Sequence, residues 1–304
     1  MSRAAVEVVD LRKSYGPVQA VRGISFEVAE GEVFAMLGPN GAGKTTTVEI
    51  LEGFRKRDGG RAYVLGFDPA SGDRRLKEQI GIVLQTTGVD PYLTVAETVD
   101  MFRGYYPKPR TREDVIRLVG LEDKASTRVT RLSGGQKRRL DVAIALAGDP
   151  TVLFLDEPTT GFDPGARRNA WEVIKGLAGL GKTIFLTSHA MDEVQYLADS
   201  VVIIAAGKVV AEGTPDSLVG RRRADTVVRF RLSDATALPE GIRATAKVDG
   251  DDFELEAADP TRTLFELTSW AVQNGISLEG LQVLRPSLED VYLEITKEAE
   301  ATQA

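Results

Sequence analysis

Short apolar, β-branched runs alternate along this chain with longer stretches of helical periodicity. That alternation predicts an α/β domain built on a largely parallel sheet. Val6–Leu11, Ile24–Val28 and Val33–Leu37 read as strands separated by turn-rich pieces, and Gly43–Phe54 as the helix that follows. Gly81–Leu84 is a further expected strand, after which the character changes. From about Thr94 to Ala147 the pattern is mostly helical, which predicts a helical subdomain, about residues 87–150, inserted into the core. Val152–Leu155, Thr183–Thr187 and Val201–Ile204 resume the buried strands, and Gly207 sits between two β runs as a hairpin turn would.

Between Gly213 and Asp225 a Gly-Thr-Pro step and the run Arg221–Arg223 interrupt the pattern. A boundary there divides the chain into an expected first domain, 1–220, and a second, 225–304. In the second, Thr226–Leu232 and Asp252–Ala257 alternate like half-exposed strands, and Thr263–Asn274 looks helical. Gln282–Leu284 reads as another strand and Leu288–Ile295 as a final helix, which together make a small α+β unit.

Composition narrows the classes. At 304 residues the chain is long for one domain, and 42% hydrophobic with 27% charged residues is ordinary for a globular protein. No apolar stretch approaches the roughly 18–20 residues of a membrane span, and the first residues carry no apolar leader. There is no cysteine, hence no disulfide framework or thiolate metal site; the cytosol fits. A net charge of −7 argues against nucleic acid as the main partner, and the arginine run is best read as a solvated linker.

Gly38-Pro39-Asn40-Gly41-Ala42-Gly43-Lys44-Thr45 fits the P-loop pattern, preceded by a strand and followed by a helix through Thr46. Glycines let backbone N–H groups turn inward around phosphate oxygens, and the helix adds the positive end of its dipole. Lys44 is placed to reach the β- and γ-phosphates of ATP, with the Thr45 hydroxyl ligating Mg2+. The apolar strand Val152–Leu155 ends in Asp156 and Glu157. Strands often end in solvated acids, but alongside a P-loop this pair reads as a metal-binding Asp156 and a water-polarising Glu157. Farther along, Ser133 is expected to cap a helix whose Gly134 and Gly135 expose N–H groups, a second anion cradle in a chain with apparently one nucleotide.

The string Leu132-Ser133-Gly134-Gly135-Gln136, between the P-loop and the acidic strand, resembles the signature of the ABC ATPase family, and the resemblance covers residues 1 to about 215. It implies the ABC cassette fold: a RecA-like P-loop NTPase core, an antiparallel β part and the inserted helical subdomain. It also implies that two cassettes pair head-to-tail, as a homodimer or pseudo-dimer, each signature closing on the nucleotide held by the other's P-loop. On the same resemblance Tyr15 is the aromatic that stacks on adenine, and Gln85 the glutamine that senses Mg2+ and the γ-phosphate. Asp163 is the aspartate that communicates across the dimer; Phe162 before it departs mildly from the usual leucine. His189, the only histidine, would ordinarily be read as a structural residue, but it fits the family's switch histidine, which steadies the attacking water.

Gly213-Thr214-Pro215, the appended domain and Arg285–Leu293 are similar to the daunorubicin/doxorubicin-resistance exporter branch. This implies an ATPase subunit on the cytoplasmic face of the membrane, powering export of an unidentified drug, lipid or other hydrophobic molecule. The permease would be a separately encoded membrane protein, docked around Thr86–Tyr106. The rivals are a soluble ABC ATPase acting on ribosomes or DNA, and a non-enzymatic nucleotide-gated module. A single cassette without sustained heptads speaks against the first, and the presence of both Glu157 and His189 against the second.

Overall fold

The computed structural model describes residues 4–83, 88–221, 226–232, 238, 246–284 and 288–293. Leu84, Gln85, Thr86, Arg222, Arg223, Arg285, Pro286, Ser287 and Ile295, which carry several of the expectations above, lie outside the described residues. Two compact units emerge, one running to Pro215 and one over Asp216–Glu294.

In the first unit a six-stranded sheet has the order β5-β6-β7-β3-β8-β9. Its strands are β3 (Val33–Leu37), β5 (Ile80–Val83), β6 (Val152–Asp156), β7 (Thr183–Ser188), β8 (Ser200–Ala205) and β9 (Lys208–Gly213). All pairings are parallel except β8 with β9, which turn back on each other around Gly207. Every residue of β3, β6 and β7 is buried, as expected for strands covered on both faces. These continuous apolar runs are the ones the sequence places to within a residue.

A three-stranded antiparallel sheet, β2-β1-β4, lies beside it: β1 (Ala4–Tyr15), β2 (Val18–Ala29) and β4 (Gly59–Val64). Both β1 and β2 extend well past their apolar cores. Beyond Leu11 on β1 and before Val21 on β2, most residues are exposed, so little hydrophobic period marks those arms. The Gly-Gly-Arg start of β4 hides it in the same way. The core between the sheets includes Phe26, Phe34, Phe154 and Phe185, whose rings touch with centroids 4.9–5.5 Å apart along the chain Phe26–Phe34–Phe185–Phe154.

The helices are α1 (Lys44–Leu51), α2 (Arg74–Lys77), α3 (Val95–Arg103), α4 (Arg112–Leu118), α5 (Gly134–Leu146), α6 (Pro164–Gly179), α7 (Met191–Leu197) and α8 (Pro215–Arg221). Between β5 and β6 the described residues form helices and turns, dominated by α3, α4 and α5. Thr94 opens α3 with a capping box to Glu97.

In the second unit β10 (Thr226–Arg231), β11 (Ala246–Asp249), β12 (Asp252–Ala257) and β13 (Glu279–Leu284) form a sheet ordered β11-β12-β10-β13. Helix α9 (Pro260–Gln273) contributes buried Leu267 to a core with Val228, Phe230, Phe253 and Leu255. The opposite face carries cross-strand ion pairs, Arg231–Asp252 at 2.8 Å among them, and residues 288–293 are helical.

Candidate active site

Because β3, β7 and β6 are parallel neighbours, the segments leaving their C-terminal ends converge on one edge of the sheet. β3 delivers the loop starting at Gly38, β6 delivers Asp156 and Glu157, and β7 delivers Ser188 and His189. Asp156 lies opposite Thr187, and Leu37 opposite Ser188.

The loop from Gly38 to Gly43 is held by close backbone approach. A Cβ on Gly38 would lie 2.4 Å from the carbonyl oxygen of Ile204, and one on Gly43, at φ 104°, would lie 2.4 Å from that of Ala20. Gly207 braces the loop from the far hairpin: its N–H donates to Ala42 O (3.1 Å) while its carbonyl accepts from Arg22 N–H (2.7 Å). Helix α1 begins without a side-chain cap. Lys44 is buried, and its ammonium donates to the carbonyls of Gly38 (2.7 Å) and Pro39 (3.2 Å). Burial lowers its pKa, opposed by the charges of Glu157 and Asp156. A cavity of about 510 Å³ is lined by Pro39, Asn40, Gly41, Gly43, Lys44, Thr45 and Thr46 together with Ala20 and Glu157. Four backbone-rich loop positions, a cation, two hydroxyls and a carboxylate thus share one basin, suited to phosphate chemistry.

Asp156 is buried and its carboxylate accepts from the Thr187 hydroxyl. Glu157 steps off the strand at φ 46°, an uncommon conformation for a non-glycine residue. Its N–H donates to both Thr187 O and Thr187 Oγ1 at 3.1 Å. The half-exposed His189 ring places Nδ1 3.2 Å from Glu157 Oε1.

Ser133 caps α5 through a capping box: its Oγ accepts from Gln136 N–H (3.2 Å), and Gln136 Oε1 accepts from Ser133 N–H (2.9 Å). Ser133, Gly135 and Gln136 do not line the P-loop basin. They line a separate groove of about 350 Å³ that also includes Phe162 and Asp163. Asp163 accepts from Gly165 N–H (3.0 Å) and Ala166 N–H (2.9 Å), capping α6. Tyr15 ends β1, partly exposed, with the Arg55 guanidinium 5.1 Å from its ring centroid.

Of the buried charged residues that sequence analysis does not single out, three lie close to this site. Arg138 of α5 donates to Pro158 O and Asp156 O, both at 3.1 Å, tying the signature helix to the acidic loop. Glu52, the C-cap of α1, has its pKa pushed up to about 8 by burial and by Asp156 and Glu49. Glu193 sits in the first turn of α7, 1% exposed. No local pattern flags such residues, because their partners come from distant segments.

The sequence pattern of the ABC transporter family matches residues 21–160, and that of an ABC transporter domain-containing protein-like C-terminal domain matches 226–287. The chain is 38% identical to the Nod factor export ATP-binding protein I of Rhizobium sp. (strain N33), over 97% of this chain and 98% of that one. It is 36% identical to the daunorubicin resistance ATP-binding protein DrrA2 of Streptomyces coeruleorubidus, over 97% and 96%. Among solved structures it resembles an ATP-binding cassette captured as a post-hydrolysis dimer with ADP and Pi. There the TM-score is 0.61 at 25% identity, covering 69% of this chain and 98% of that one.

Proposed function

This chain belongs to the ATP-binding proteins of ABC transporters, and on that premise we propose how its own residues turn ATP hydrolysis into work. The observation that carries the proposal is the basin in which the P-loop and Glu157 meet, with His189 in contact with Glu157.

Backbone N–H groups of residues 40–43, with Lys44, Thr45 and Thr46, grip the phosphates of ATP. Lys44 supplies positive charge to the β- and γ-oxygens from a buried site, where water screens their attraction less. Glu157 polarises the attacking water, and His189 holds Glu157 and the γ-phosphate in register. Tyr15 stacks on the adenine. The Thr45 hydroxyl and the Asp156 carboxylate are hard oxygen donors that suit Mg2+, with Gln85 as a further ligand. When bound, the metal supplies charge that offsets the phosphates.

The signature residues Ser133, Gly135 and Gln136, with Asp163, line a different groove from the P-loop, which supports their acting on the nucleotide of a second copy. Two copies then sandwich two nucleotides. No helix among the described residues is long and apolar enough to cross a membrane. In this reading, which the likeness to export ATP-binding proteins supports, the motor acts on a membrane permease, taken to be a separate polypeptide, from the cytoplasmic face. The segment 88–106, with Tyr92 and Tyr105 more than two-thirds exposed, is the proposed dock. Export follows from the relatives' roles, and a ribosome- or DNA-directed ATPase is disfavoured by the same full-length likeness.

The test is Glu157→Gln. Turnover should fall about 100-fold or more while ATP binding persists and ATP drives dimerisation, read by size-exclusion chromatography. Undiminished turnover, or a strictly monomeric variant at saturating ATP both alone and with its permease, overturns the proposal.

A further inference from the structure

Both acting side chains of the proposed mechanism sit on loops, yet their contact depends on those loops keeping one spacing. One buried carboxylate spans the gap. Glu193 Oε1 accepts from Thr159 Oγ1 (2.7 Å) and from Trp171 Nε1 (3.2 Å), and Oε2 accepts from Ser188 Oγ (2.6 Å). Thr159 lies two residues beyond Glu157, Ser188 immediately precedes His189, and Trp171 belongs to α6, which Asp163 caps. Ser188 Oγ also accepts from Ala190 N–H at 3.0 Å, so the chain is pinned on both sides of His189.

The choice of residue is informative. Burying a carboxylate is costly unless every lone pair is used, and an apolar residue could fill the space without that cost. Here the acceptor capacity is spent on three donors from three segments, and bonds to an ionised acceptor are the stronger kind. The buried Arg138 guanidinium, itself bonded to the Asp156 and Pro158 carbonyls, adds a counter-charge nearby.

We propose that Glu193 is a positioning residue whose carboxylate fixes the Glu157 loop to the His189 loop and so holds the Glu157–His189 pair ready for hydrolysis. This rests on the reading that Glu157 and His189 act on the attacking water. In Glu193→Gln the amide oxygen can keep the Thr159 and Trp171 bonds, and the amide NH2 can donate to Ser188 Oγ once that hydroxyl turns its proton toward Ala190 O, 3.4 Å away, so the link between the loops survives.

The full-length protein carrying Glu193→Ala, Glu193→Gln, Thr159→Val or Ser188→Ala is assayed for ATPase per folded molecule, with ATP affinity measured separately. Glu193→Ala should lose about 10- to 100-fold in kcat with KM and affinity within about threefold, and Glu193→Gln should recover most of it. Combined with Glu157→Gln, Glu193→Ala should lower residual turnover little further, because the pair acts as a unit. If Glu193→Ala does not fold, Thr159→Val, which deletes one donor and keeps the volume, should still lower kcat about threefold or more with KM unchanged. A kcat per folded molecule within twofold of the parent, with only the melting temperature reduced, overturns the proposal. So does a full additive loss on the Glu157→Gln background. If Glu157→Gln itself turns over normally, the failure lies with the mechanism above.

Discussion

Helices α1 and α5 both begin at glycine-rich turns that are proposed above to meet an anion, and they treat their free N–H groups in different ways. At α1 the N-cap is Gly43, with no side chain available, and the loop is shaped by backbone packing against Ala20 and Ile204. At α5 the cap is Ser133, whose capping box with Gln136 already satisfies two N–H groups. The first cradle is complete within one chain. The second has its Ser133 and Gln136 N–H groups spent on its own cap and opens on a different groove from the P-loop, so its remaining N–H groups await an anion brought by a partner.

The sharpest way to break this contrast is at Gly43. An alanine there meets both a positive φ and a carbonyl oxygen at 2.4 Å. Gly43→Ala should weaken ATP binding by the monomer at least about 100-fold, roughly 3 kcal/mol, in a fluorescent-nucleotide titration. Normal affinity in a folded variant would remove the backbone-cradle argument.

The far end of α1 offers a second comparison, since α5 closes on apolar residues whereas α1 closes on Glu52. Native Glu52 keeps its proton up to about pH 8, from an ordinary value of 4.5. Between those values the unfolded chain has released a proton that the folded chain retains, so its contribution to stability falls as pH rises. Glu52→Gln should flatten that decline and leave the metal-free protein about 2–4 kcal/mol more stable than the parent at pH 8. Chemical denaturation across pH 5–8 checks it; parallel curves for the two proteins would contradict the assignment.

The smallest expected effect is at the signature. Ser133→Ala should cost about 1 kcal/mol of stability through the lost cap. ATP binding by the monomer should stay within about twofold while ATP-driven dimerisation weakens. Loss of monomer binding would show that the two cradles are not independent.

The same contrast explains what could be read in advance. Backbone-defined features left local marks: the glycine spacing of residues 38–43, the apolar runs that became β3, β6 and β7, and the turn at Gly207. The start of α6 is equally marked, since Asp163-Pro164 is an N-cap followed by a first-turn proline. The polar arms of β1 and β2 carry too little hydrophobic contrast to show. Glu193, Arg138 and Glu52 were illegible for a different reason: a buried charge looks like any surface charge until the fold supplies its partners.

The brace at Gly207 sets a timetable for biosynthesis. The loop proposed to grip phosphate is translated early, but the hairpin that buttresses it leaves the ribosome much later. A nascent chain stalled before β8 thus presents an unsupported loop, and cannot trap nucleotide until most of the first unit has been made. Stalled chains of increasing length should gain ATP retention in a step once the hairpin is exposed, rather than gradually from the N-terminus.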